Sequence, residues 1–187
     1  MSPIGFTNIA FPSGHWPDGH FPIYHWPVPP SDEEDVILSD DLRHTPCFII
    51  GSYLIANSIV SLPSLDSDWP LYKSSMPIEA DDVCAIYDTT PIVDARVSES
   101  YPNIHYGLQI IVRASDYEIG KAKARAIAVI LETIQNSSVE FGEYEYSIRT
   151  ARPTSGVIPL GQEPETTKRR YLFTINFLST IKYMVAA

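Results

Sequence analysis

Three histidines recur at a five-residue step near the start of the chain: His15, His20 and His25. Imidazole is a common ligand for zinc, copper and nickel, so the first chemistry to test is metal binding. The spacing argues against it. In extended chain a five-residue step separates side chains by roughly 15 Å, too far for one ion. The other two histidines, His44 and His105, fall beside a helix start and on a strand, so no metal site is expected. Asp81-Asp82 stand at a strand entrance, where solvation is the expected state rather than general acid–base work. There is no Gly-rich phosphate loop, GxSxG elbow, HExxH or CxxC, and hence no expected catalytic set and no expected cofactor. Cys47 and Cys84 lie in apolar surroundings and read as buried free thiols from a reducing compartment. Lys168-Arg169-Arg170 is a short basic patch in a chain of net charge −10. Its expected partner is an acidic surface, of another protein or of this one. The negative balance argues against sequence-independent binding to nucleic acid, which relies on Lys and Arg neutralising phosphates.

The 187 residues suffice for one compact domain with material to spare. No apolar run reaches the roughly 18–20 residues of a membrane span. The start of the chain has no basic stretch, apolar core or small-residue cleavage site, so a signal peptide is not expected. Seven of the sixteen prolines fall in residues 1–30, which marks a compositional boundary. There the chain repeats in pentapeptides, each opening aromatic-Pro: Phe11-Pro12, Trp16-Pro17, Phe21-Pro22 and Trp26-Pro27. Proline fixes φ and keeps the preceding residue out of helix, so an extended arm is expected. Such an arm cannot bury its own rings. Phe11, Trp16, Phe21, Tyr24 and Trp26 are therefore its candidate contact residues. Residues 31–43 carry Asp32, Glu33, Glu34, Asp35, Asp40 and Asp41 and read as a solvated acidic linker. The expected division is arm and linker over 1–43, and a folded domain over 44–187.

Within the domain, Thr45-Pro46 reads as N-cap and first residue of a helix that runs to near Pro63. Short strands are expected at 71–76 and 83–88, then a contact loop from Thr89 to Pro102. Tyr106, Leu108, Ile110 and Val112 alternate as a strand with one apolar face. Ser115 and Glu118 form a capping-box pattern ahead of Ile119, Ala122, Ala126, Ile127, Ile130, Leu131 and Ile134, with Asn136 as the stop. Tyr144, Tyr146 and Ile148 mark another strand, and 153–167 a second long loop. The final strand is the clearest, with Tyr171, Phe173, Ile175 and Phe177 on one side. This order predicts an α+β, two-layer sandwich: a mixed, mainly antiparallel sheet with two helices packed on one face. Its second face awaits water, the arm or another subunit.

Residues from about 45 to 183 resemble the tail terminator, or tail-completion, proteins of long-tailed bacteriophages, also called tail-to-head joining proteins. The carrying residues are Ile86-Tyr87-Asp88-Thr89, Tyr101-Pro102, Leu108 to Arg113, the Asp116-Tyr117 helix start, Arg149, and Pro159-Leu160-Gly161 before a last aromatic strand. The resemblance implies a virion structural protein and no enzyme. It would form a ring, a hexamer in that family, that caps the tail tube and meets the head–tail connector or neck proteins. A connector subunit whose arm grips the portal side is the alternative. A His-repeat metal or ligand module is a more distant one. Assembly would take place in the host cytoplasm and the product would reside in the virion. DNA would pass the lumen without specific binding, since a sixfold ring at −10 per copy carries −60 formal charges. No membrane is implied. Tyr101, Pro102, Pro159, Leu160, Lys168, Arg169 and Arg170 are the candidate contact residues on the domain.

Overall fold

Strand β8 (Tyr171–Val185) is the axis of the domain. The computed structural model describes residues 37–39, 42–64, 67–94, 103–163 and 168–185. Among them eight strands form one sheet and two helices lie against it. In chain order these are β1 (Ile37–Ser39), α1 (Pro46–Ala56), β2 (Leu71–Lys73), β3 (Val83–Val93), β4 (Ile104–Ala114), α2 (Tyr117–Glu132), β5 (Gln135–Phe141), β6 (Tyr144–Pro153), β7 (Ile158–Gln162) and β8. The main path is β2-β3-β4-β8-β6-β5. Among the described strands only β2 and β3 pair in parallel. At fifteen residues β8 outruns each neighbour. It pairs β4 over Tyr171–Ser179 and then β1 on one edge, and β7 and then β6 on the other.

The alternation along β8 explains the core. Phe173, Ile175, Phe177 and Ile181 are buried. The first three lie opposite Val112, Ile110 and Leu108 of β4, since alternate residues share a face. Both helices close on this face, so the architecture is α+β. Helix α2 approaches through Gly120, Ala124, Ile127 and Leu131. At Gly120 an added Cβ would lie 2.6 Å from Ala114 Cβ and 2.7 Å from the Phe173 ring, so glycine there sets the helix-to-sheet distance. Helix α1 buries Cys47, Ile49, Ile50, Gly51 and Leu54. Beside it Lys73 Nζ lies 4.9 Å and 4.7 Å from the centroids of the Phe48 and Phe141 rings, so its charge rests on two π faces. Burial pushes the Lys73 amine below its ordinary value.

Several expectations need correction. Helix α1 stops at Ala56, not near Pro63; Asn57 caps it and Ser58 takes φ +56°. Strand β2 ends at Lys73, because Ser74 turns to positive φ (+59°). Strand β3 runs on through Val93, so residues 89–93 are strand rather than loop. The helix cap at α2 is Asp116, whose carboxylate accepts from the Glu118 and Ile119 N–H groups. Ser115 is engaged elsewhere, donating its N–H and Oγ to Asp82. The buried stripe of α2 is accordingly turned: Ile119 and Ala122 face out. The helix ends at Glu132 with Thr133 as its cap, and Asn136 takes its positive φ inside β5. Strands β5 and β7 were not expected. Ile37–Ser39, within the stretch read as solvated linker, pair with β8. Residues 1–36, with the arm contacts Phe11, Trp16, Phe21, Tyr24 and Trp26, lie outside the described residues.

Candidate assembly surface

Alternation puts the residues after Val112 and before Tyr171 on the face away from the helices. Arg113 and Arg170 are both there, 2% and 4% exposed. Isolated guanidinium groups at that depth are costly, so they must be satisfied. Arg113 Nη1 donates to Glu163 Oε1 at 3.1 Å, and its Nη2 donates to the carbonyls of Pro77 and Ala80. Arg170 donates to the carbonyls of Ile78 (2.7 Å) and Glu79 (3.0 Å) and through Nε to Asp81 Oδ1 (2.8 Å). Four successive carbonyls, from Pro77 to Ala80, thus end on two buried cations. Glu163 bridges the pair, its Oε2 3.4 Å from Arg170 Nη1. Lys168 and then Arg170 hold the Asp81 carboxyl below its ordinary value, against partial burial. Burial opposes the Arg170 charge, but Asp81 and Glu163 outweigh it and raise its pKa. The outcome is a loop between β2 and β3 pinned by its own backbone. Ile78 stands on it 78% exposed.

At the other end of β3 and β4 the chain leaves the helices. Strand β2 pairs only with Cys84–Ile86. From Tyr87 onward the outer edge of β3 has no partner among the described residues. Asp88 to Val93 are exposed, with Ile92 and Val93 at 51% and 57%. Gly107 lets the hairpin close, since a Cβ there would meet Thr89 Oγ1 and the Thr90 carbonyl oxygen at 2.4 Å. His105 clips its base. Nε2 lies 2.8 Å from Asp94 Oδ2 and Nδ1 lies 2.8 Å from Thr180 Oγ1. In the tautomer that carries its proton on Nε2, the ring donates to Asp94 and the Thr180 hydroxyl donates to Nδ1. This chain of groups resembles a hydroxyl-activating relay, but Thr180 is buried and is not among the residues lining the cleft. Beside the clip opens a cleft of about 570 Å³. Buried Ile134 and Ala151 and half-buried Leu178 give it an apolar floor, and Arg152 stands at its side.

The expected contact residues divide. Pro159 and Leu160 lie on edge strand β7 and are exposed, next to exposed Ile158. Lys168 is exposed and bonds Asp81, and Arg169 is exposed. Arg170 is not a surface contact. Its buried guanidinium is spent inside the domain, so the acidic surface it meets is this chain's own. Tyr101 and Pro102 lie outside the described residues. Arg113, Glu163 and the His105 clip were not singled out from sequence. A charged residue at the end of an otherwise apolar strand was the available signal for Arg113.

Among the described residues no group of three or more His, Cys, Asp or Glu is placed to hold a metal ion. No helix there is long and apolar enough to cross a membrane. Compared with known proteins, the chain matches no family model and no curated relative.

Proposed function

We propose that this chain is a structural subunit that assembles head-to-tail into a ring on the end of a phage tail tube and joins that tube to the head or neck. One observation carries the reading. Strands β3 and β4 run beyond β2 as an exposed hairpin whose outer edge has no strand partner among the described residues, on a sheet whose helices cover a single face. Pro91 and the register shift between Thr89 and Ile92 interrupt that edge as a ladder, so what it offers another chain is the exposed apolar pair Ile92 and Val93 on the projecting hairpin. The resemblance of residues 45–183 to tail terminators, read from the sequence, motivates the same proposal. In the ring the partners are other copies, the tube protein and a neck protein, and no step of catalysis is involved. The negative net charge suits a lumen that DNA slides past.

The anchoring of β1 on β8 favours a connector role for the preceding residues, since load on them would pass directly to the central strand. Native mass spectrometry of the full chain, repeated without residues 1–36, tests both readings. A closed oligomer that arrests tube polymerisation is expected in each case, with head joining lost in the truncated form. A chain that stays monomeric at all concentrations and leaves tube growth unchanged refutes the ring.

A further inference from the structure

We infer that the Pro77–Ala80 loop of one copy seats Ile78 in the cleft beside His105 of the next copy, forming the knob and socket of the head-to-tail contact. The inference rests on the ring reading above and names the surfaces that make it.

The knob is built at a cost that exposure alone does not explain. Carbonyls of a surface turn are satisfied by water without help. Here four of them are held by two desolvated arginines, which themselves need Glu163 and Asp81. That arrangement fixes the loop in one shape while Ile78 stays 78% exposed. A rigid apolar side chain on a pre-ordered loop is what binding favours, because little freedom is left to lose. Half-buried Met76 and Pro77 widen the same apolar tip.

At about 570 Å³ the socket is larger than one isoleucine side chain and has room for Met76 and Pro77 beside Ile78. Its floor of Ile134, Ala151 and Leu178 is apolar and its rim is polar. Charges at the two surfaces are complementary. Exposed Glu79 adjoins the knob, and Arg152 of the socket makes no ion pair among the described residues. The socket's Asp94 is already paired with His105. Its Glu132 finds a counter-charge in exposed Arg169, next to the arginine that pins the loop.

A copy cannot fill its own socket. Val83, just after the loop, lies opposite Arg113, whereas Ile92 lies opposite His105. Nine residues of strand place the two sites roughly 30 Å apart. One patch must therefore meet a different patch on another copy, the heterologous contact that generates rings.

The experiment uses the full chain carrying Ile78→Cys and Leu178→Cys, treated with a short bis-maleimide. Both native cysteines are buried and serve as unreactive background. A ladder of covalent oligomers on a denaturing gel is expected, and neither single variant should go beyond a dimer. In parallel, Glu79→Arg and Arg152→Glu should each weaken self-association at least tenfold by sedimentation, and the double exchange should restore it. Because Ile78 is exposed, Ile78→Asp should keep the fold by circular dichroism yet abolish the oligomer. An intact ring in Ile78→Asp, or no ladder from an oligomeric double-cysteine chain, overturns the knob and socket and leaves the ring reading standing. A wild-type chain that is monomeric throughout overturns both.

Discussion

Replacing Arg113 with Met removes the charge and its donors while keeping a similar unbranched volume, so it tests whether the arginine pair holds the β2–β3 loop. Three interactions go: the Glu163 contact and two bonds to the carbonyls of Pro77 and Ala80. Hydrogen bonds from a charged donor contribute about 1.5–3 kcal/mol each. They are not additive here, because one guanidinium makes all three. Breaking a buried ion pair from one side costs about 3–5 kcal/mol. Two features reduce the loss. Glu163 keeps Arg170 as a partner, and Arg113 Nε is buried without an acceptor, so removing it recovers about 1 kcal/mol. The net expectation is a destabilisation of about 3 kcal/mol. With a urea dependence of about 2 kcal/mol per molar, the midpoint should fall by about 1.5 M. Hydrogen exchange should locate the change, with faster exchange concentrated in 75–82 and near-normal protection in β4 and β8. Arg113→Lys should recover little, because a single ammonium lacks the planar fork that reaches two carbonyls and a carboxylate at once. A midpoint shift below about 0.5 M at unchanged slope, or full rescue by lysine, would refute the argument that these bonds fix the loop.

Two further outcomes follow from the packing and the charges. Gly120→Ala improves helix propensity by about 1 kcal/mol, yet its Cβ must intrude on Ala114 and Phe173 in the core. Overpacking of about 1–3 kcal/mol should win, lowering Tm by a few degrees in calorimetry; a raised Tm would show that α2 can lift off the sheet freely. Asp81 has a lowered folded-state pKa, so its contribution is fully present above the unfolded carboxylate value and is lost as pH falls through the folded one. The stability gap between wild type and Asp81→Asn, measured by urea unfolding, should therefore be constant above about pH 5 and shrink below about pH 4. A gap independent of pH would mean that Asp81 acts through geometry alone.

What could be read beforehand follows the physics of each element. Strand β8 was legible because a central strand with one buried face alternates cleanly, and Phe173, Ile175 and Phe177 are all in the core. Val83–Ile86 are buried on both sides, so they show an unbroken apolar run instead. Strand β5 escaped because Gln135–Phe141 is an edge of mostly polar residues. Its signal lay in the turn, where Gly142 at φ +67° precedes Glu143 and joins β5 to β6 as a tight hairpin. Strand β7 carries Pro159 and Gly161, both poor strand residues; it is possible because the strand is an edge and its register shifts between them. On α2, large apolar residues drew attention to Ile119. The residues nearest the sheet are in fact Gly120 and Ala124, since close approach selects small side chains.

The site was less legible than the fold for a reason of register. Lys168-Arg169-Arg170 is visible as composition, but which member is structural depends on facing. Arg170 has the parity of Leu172, and Leu172 lies opposite Arg113 across β4 and β8. Parity within β8 is readable from sequence; the pairing of β4 with β8, and hence the meeting of two arginines 57 positions apart, is not. Once that register is set, the carbonyls of 77–80 are the nearby acceptors that let both charges stay buried, and the exposed Ile78 follows from how the loop must lie to supply them. The same reasoning gives the basic patch two roles. Arg170 orders the loop from within, while Arg169 remains exposed and free to serve the contact proposed between copies.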